Sequence, residues 1–185
     1  GSAELGSFLT PSQVLNYVEA HDNYNLYDLL SYVHPDDSQE KIKKQVEVAT
    51  AMNLLFQGMA FMQVGQEFLR TKLVATGEDG EVTQADRERA MNSYNAPDAV
   101  NQVDWNLVSV NKDTIDYIRQ IIHLKKTLPA LSLESYEEIY QHVFVHTADM
   151  GSGVIVFELN WDKHYSVIFN TSGLPFYLQN ADHLE

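Results

Sequence analysis

Two dipeptides carry side chains with chemistry to offer, His21-Asp22 and Gln66-Glu67, and each closes an apolar run. In "NYVEAHDNYNLYDLL", residues 16–30, the run ends on an imidazole beside a carboxylate. Ionisable groups at the tip of a buried strand cost desolvation unless they are used. Such a pair can pin vicinal hydroxyls, stabilise a developing cation, orient a water, or work as acid and base. The residue types do not choose among these, and they also fit a plain strand cap bonded to backbone amides. Glu67 is open in the same way, between lining a cleft and holding a rim by hydrogen bonds.

The remaining polar candidates are weaker. His34, His142, His146 and His164 are scattered and lack metal-ligand spacing, so no metal and no cofactor is expected. Asn170-Thr171-Ser172 matches a glycosylation sequon, a pattern short enough to arise by chance. Met52, Met59, Met62 and most aromatics read as core.

Composition narrows the partners. Twenty-six acidic against twelve basic residues give a net charge of -14, which repels nucleic acid and anionic membranes and favours a neutral ligand. With 185 residues and 44% apolar content the chain can bury a real core. It has no cysteine, hence neither disulfides nor thiolate zinc sites, and the compartment is left open. No apolar run reaches membrane-spanning length, and the start carries no cationic-then-apolar leader.

The elements that must position these residues follow from periodicity. Residues 14–21 read as a strand, and "NLYDLLSYV" as a short amphipathic piece. A helix is predicted near 37–57, with Asp37 at the N-cap, Glu40 completing a capping box, and Gly58 as its stop. "MAFMQV", residues 59–64, has the look of a parallel strand buried on both faces. Strand, helix and parallel strand make a βαβ unit, which places His21, Asp22, Gln66 and Glu67 together at the carboxyl ends of its strands. From 70 to 105 no strong period appears, and a loop that long is usually functional or disordered. "MNSYNAPDAVNQVDW" mixes aromatics with amides, which favours function. A second helix is predicted over 112–127. After Pro129 the pattern alternates, and "IYQHVFVH", "VIVFEL", "YSVIF" and "PFYLQ" read as strands of an antiparallel sheet.

The segment around His21-Asp22 closely resembles the last active-site strand region of the α-amylase superfamily, glycoside hydrolase family 13, and of its type I pullulanases above all. "GMAFMQVGQEFLRTK", residues 58–72, is similar to the eighth barrel strand and the loop it enters. "NSYNAPDAVNQVDW", residues 92–105, is similar to that loop's pullulanase signature, and "YIRQIIHLKKTLPAL", residues 117–131, to the last barrel helix. All four stand in the family's order.

The resemblance implies the last two βα units of a (β/α)8 TIM barrel in 1–130, followed in 131–185 by the start of an antiparallel C-terminal β-sandwich. It makes Asp22 the carboxylate that stabilises the transition state and His21 its hydroxyl-binding partner, with Asn23, Tyr94 and Asn95 as further sugar contacts. Tyr27 and Leu29 depart from the Trp and Lys usual in the family. An α-glucan is the implied partner. The nucleophile and the acid/base would lie on earlier strands, because a full barrel takes roughly 250 residues. The expectation is therefore a C-terminal piece of a retaining α-1,6-debranching hydrolase, inert alone and prone to self-associate through its open strand edges. An α-1,4-acting amylase or branching enzyme, or a non-catalytic glucan-binding module, are the alternatives.

Overall fold

The computed structural model describes residues 8–149 and 151–177. A parallel pair opens it. Strand β1, Leu15–Asn16, runs beside β2, Met59–Ala60, with Leu15 opposite Met59 and Asn16 opposite Ala60. Bonds from Met59 N to Val14 O and from Phe61 N to Asn16 O, both 2.9 Å, continue the pairing. Gly58 makes the entry possible. Its φ is 99°, and a Cβ there would stand 2.9 Å from Val14 O.

Both strands were expected to run longer and to be buried, the second on both faces. Only two residues of each are paired as strand, and Leu15 and Met59 are about half exposed, at 52% and 49%. The physical reason is that a two-stranded sheet has no neighbours to cover its edges and faces.

Between the strands lie α1, Leu26–Val33, and α2, Gln39–Leu55. Helix α2 lies within the predicted 37–57, but its N-cap is Ser38, whose side chain accepts the Lys41 amide. Asp37 is drawn instead to Lys41 Nζ at 2.6 Å and Gln45 Nε2 at 2.9 Å. Helix α6, Lys112–Thr127, has the predicted bounds and packs along α2. Buried Glu47 on α2 accepts the Thr114 hydroxyl at 2.9 Å and Lys44 Nζ at 2.8 Å, so the polar groups at this contact are satisfied.

The segment after β2 is less irregular than its sequence suggests. It holds α3, Gln84–Met91, α4, Asp98–Asn101, and α5, Leu107–Val110. A capping box between Thr83 and Asp86 starts α3.

Beyond Pro129 comes α7, Tyr136–His142, then β3, Val143–Asp149, β4, Val154–Asn160, and β5, His164–Asn170, an antiparallel sheet in the order β3-β4-β5. The first half of "IYQHVFVH" is thus helix rather than strand. Ser135 accepts the Glu138 amide while the Glu138 carboxylate accepts the Ser135 amide, and this reciprocal cap holds a helix turn against the alternating pattern. Of "PFYLQ", residues 175–177 are not strand and 178–179 lie outside the described residues. The observed architecture is a mixed α/β fold with a three-stranded antiparallel sheet. No helix among the described residues is long and apolar enough to cross a membrane.

One apolar cluster joins the parts. Ala51 and Leu55 of α2 meet Leu128, Ala130 and Leu131 and, from the sheet, Phe157, Leu159 and Phe169. Gln57 completes the joint, donating to Ala130 O at 2.7 Å and accepting the Leu133 amide at 3.0 Å.

Candidate functional site

The turn 21–23 follows β1 and precedes α1, so it stands at the carboxyl end of the parallel pair. The segment that leaves β2 through Gly65 starts from that same end. Asn23 takes a left-handed conformation, φ 62°, which an asparagine tolerates better than most residues. The turn presents His21 and Asp22 outward, with side chains 84% and 76% exposed and Nε2 and Oδ1 3.5 Å apart. That spacing is long for a hydrogen bond.

Beneath the turn the carboxylates are buried. Glu19 accepts the Leu26 amide at 2.8 Å and so caps α1, where free N–H groups and the helix dipole favour a negative charge. Burial pushes Glu19 up to about 7, against the pull of the Leu26 bond and of Arg70. Asp28, in the first turn of α1, accepts the Thr71 hydroxyl at 2.5 Å and the Lys72 amide at 2.8 Å. Burial raises its carboxyl too, with these two bonds opposing.

Lys72 is the residue that sequence reasoning missed. It is 2% exposed, and its ammonium donates to Asn23 O at 2.5 Å, His21 O at 3.3 Å and Ser93 Oγ at 3.3 Å. Burial lowers its pKa and Arg70 adds to this, while Asp28, Glu19 and Asp22 act in the opposite sense. Its only sequence signal was a basic residue inside the quoted "GQEFLRTK" segment.

Ser93 begins a turn closed by Ala96 N to Ser93 O at 3.0 Å, and Tyr94 and Asn95 are its two central residues, both exposed. Asn101 ties that turn down through Ser93 O at 2.7 Å and Ala96 O at 3.2 Å. Arg70 in turn donates to Asn101 O at 2.5 Å. Through Lys72, the structure joins the turn carrying His21, Asp22 and Asn23 to the loop carrying Tyr94 and Asn95.

Gln66 and Glu67 have local work at the same end. Gln66 is buried and donates to Thr50 Oγ1 at 2.8 Å, and Glu67 accepts the amide of Gly65 at 3.0 Å. Gly65 itself has φ 103°, and a Cβ there would meet the Arg70 side chain at 2.6 Å. Both readings of Glu67 find a counterpart, since beside its bond to Gly65 it also lines a groove with Met62, Gln63, Val64 and Ile118.

Two of the scattered histidines are brought together elsewhere. His146 Nε2 stands 2.7 Å and His164 Nε2 3.6 Å from the Glu158 carboxylate, across the β3-β4-β5 sheet. Among the described residues no group of three or more metal-ligating side chains is arranged to hold a metal ion.

An exposed carboxylate interacts weakly with a nearby cation. At about 4 Å the attraction is about 1 kcal/mol in bulk water, against about 4 kcal/mol at the effective permittivity of a protein surface cleft. Asp22 acts strongly on a positive centre only where other walls exclude water.

No protein-family model matches the chain. It is 36% identical over 133 residues, 72% of its length, to the pullulanase of Bacillus subtilis, of which it spans 16%. It is 27% identical over 175 residues to pullulanase A of Streptococcus pneumoniae, covering 78% of this chain and 14% of that protein. Among solved structures, pullulanase type I from Bacillus subtilis complexed with maltose superposes with a TM-score of 0.72 at 34% identity, over 86% of this chain and 21% of that one. The pullulanase of Paenibacillus barengoltzii with maltohexaose and alpha-cyclodextrin gives 0.72 at 33% identity, over 87% and 23%. That of an Anoxybacillus species with maltotetraose gives 0.68 at 35% identity, over 82% and 20%. The chain thus spans less than a quarter of each of these relatives. It belongs to the pullulanase family, and the portion it matches is a C-terminal part of a type I pullulanase.

Proposed function

We propose that the chain is part of a longer retaining glycoside hydrolase that cleaves α-1,6 linkages in pullulan and branched glucans. In this reading residues 1–130 are the last two βα units of its (β/α)8 barrel, and 131–185 begin its C-terminal β-sandwich. Asp22 is the carboxylate that stabilises the transition state. His21, Asn23, Tyr94 and Asn95 contact the sugar.

The observation that carries the reading is the turn 21–23 at the carboxyl end of a parallel pair, bonded through Lys72 to the loop of Tyr94 and Asn95. Active sites of barrel enzymes are built from loops at that end. The maltooligosaccharides bound to the Anoxybacillus and Paenibacillus relatives support an α-glucan as ligand. A glucosyl centre passing through an oxocarbenium-like state gains positive charge, which a fixed carboxylate favours over the ground state. The openness of His21 and Asp22 fits a single wall of a subsite whose other walls come from the rest of the barrel.

Alone, the 185-residue chain is expected to be inert, because Asp22 can neither form a glycosyl intermediate nor protonate the leaving oxygen. It is also expected to self-associate. Exposed Leu15, Tyr17, Met59, Phe61 and Val64 line the short open sheet, and a second copy covers them where barrel neighbours are missing. A reducing-sugar assay on pullulan, run on this chain and on the longer protein beside light scattering, tests the reading. Debranching by the longer protein alone supports it. Turnover by the isolated chain, or none by the longer protein, sinks it, and a strictly monomeric chain refutes the association.

A further inference from the structure

Lys72 is an unusual place for a lysine, since burying an ammonium costs several kcal/mol unless acceptors surround it. Two of its three acceptors are the carbonyls of His21 and Asn23, on either side of Asp22, and the third is the hydroxyl of Ser93. An ammonium has three protons, and each finds an oxygen here. Its own backbone amide is fixed by Asp28, so both ends of the residue are held. Asn23 stands in a left-handed conformation, which costs energy and persists where the surroundings hold it.

The geometry points to Lys72 as a positioning residue. It sets the Asp22 carboxylate against the Tyr94-Asn95 loop by gripping the backbone on both sides of Asp22 and the residue that opens that loop. The inference rests on the reading of Asp22 as the stabilising carboxylate. Lys72 itself lies buried beneath the turn, with its ammonium spent on backbone and hydroxyl oxygens. Where one side chain fixes two loops, losing it shifts the carboxylate without removing it, and a misplacement of about 1 Å lowers turnover by about 100-fold.

The test is made in the longer protein, with pullulan as substrate, on Lys72→Met and Asp22→Asn side by side. Folded enzyme is counted by circular dichroism, so that kcat refers to folded molecules only. The expected result for Lys72→Met is a kcat lowered by about 100-fold with KM moved by less than about threefold, because the lost alignment matters most in the transition state. A purely structural lysine would lower the yield of folded enzyme and leave its kcat alone. If Asp22→Asn abolishes turnover while folded Lys72→Met keeps normal kcat, this inference is overturned and the functional reading stands. If Asp22→Asn turns over normally, the functional reading falls and the inference with it. Should Lys72→Met not fold, Ser93→Ala decides in its place. It removes one acceptor and little volume, and a several-fold lower kcat supports the positioning role, whereas an unchanged kcat refutes it.

Discussion

Glu19 Oε2 accepts the amide of Leu26 at 2.8 Å, so the segment that leads from β1 into the His21-Asp22 turn also caps the helix that leaves it. Among the described residues the other oxygen, Oε1, has no hydrogen-bond partner. Burial is the larger influence and pushes this carboxyl from 4.5 to about 7. The Leu26 bond, Arg70 and Lys72 pull it down, and Asp28 pushes it further up. Between those two values the folded chain keeps a proton that the unfolded chain has released. Stability therefore falls as pH rises through that window, by up to roughly 3 kcal/mol. Denaturant titrations of the chain and of Glu19→Gln on either side of the window measure this. The substitution is expected to lessen the slope, leaving the part that the raised carboxyl of Asp28 contributes. A slope identical in both proteins would show that Arg70 and Lys72 keep Glu19 ionised throughout.

Asp22→Asn in the longer protein is expected to lower kcat by at least about 100-fold, the lower end of the loss for one preorganised stabilising group. KM should move far less, since the missing charge matters most when the sugar is cationic. His21→Ala should change both terms, because hydroxyl binding is already present in the ground state. Steady-state kinetics on pullulan separates the cases, and a His21→Ala effect confined to thermal stability would return that residue to a strand cap.

How much of this was legible can be judged residue by residue. Helix α6 has its predicted bounds because Ile115, Ile118 and Ile122 repeat at helical spacing and Leu128-Pro129 forbids continuation. The parallel pairing of β1 and β2 followed from a helix lying between two apolar runs. Their burial did not follow, because a strand's coverage depends on neighbouring strands and layers, and β1 and β2 pair only with each other. Helix α3, "QADRERAM", has no apolar period to detect, and only the Thr83-Asp86 spacing hinted at it. Lys72 was illegible for a different reason. Its acceptors lie 49, 51 and 21 residues away in the chain, and nothing local distinguishes it from a solvated lysine.

Asp86 anchors the stretch that leads to the Tyr94-Asn95 loop. Its buried carboxylate accepts from the amide and hydroxyl of Thr76 at 3.0 and 2.7 Å, and from those of Thr83 at 2.9 and 2.8 Å. These bonds, that of the Thr76 hydroxyl first, hold its carboxyl well below the ordinary carboxylate range. Such a group adds stability above its ordinary value of 3.8, and the contribution is lost as pH falls below it. Asp86→Asn keeps the shape but turns one acceptor oxygen into a donor facing donors. Hydrogen exchange should then speed up over residues 76–91 while amides of α2 and α6 stay protected. Unchanged exchange over 76–91 would refute the anchor.

The sequence pattern changes near residue 130, but the core does not divide there. Leu159 of β4 is fully buried and shares one cluster with Ala51 and Leu55 of α2 and with Leu128 and Leu131 of the connection. Residues in one packed core lose their contacts together, so a cavity opened on the sheet side should weaken the helices as well. Leu159→Ala is expected to cost about 3 kcal/mol, within the range for deleting a fully buried leucine side chain. In a Trp105→Phe background, far-ultraviolet circular dichroism, dominated by α2 and α6, should shift its unfolding midpoint by the same amount as Trp161 fluorescence, which reports the turn between β4 and β5. If the helical signal kept its midpoint while the fluorescence moved, the sheet and the helices would unfold separately. The division at 130 would then be one of stability as well as of pattern.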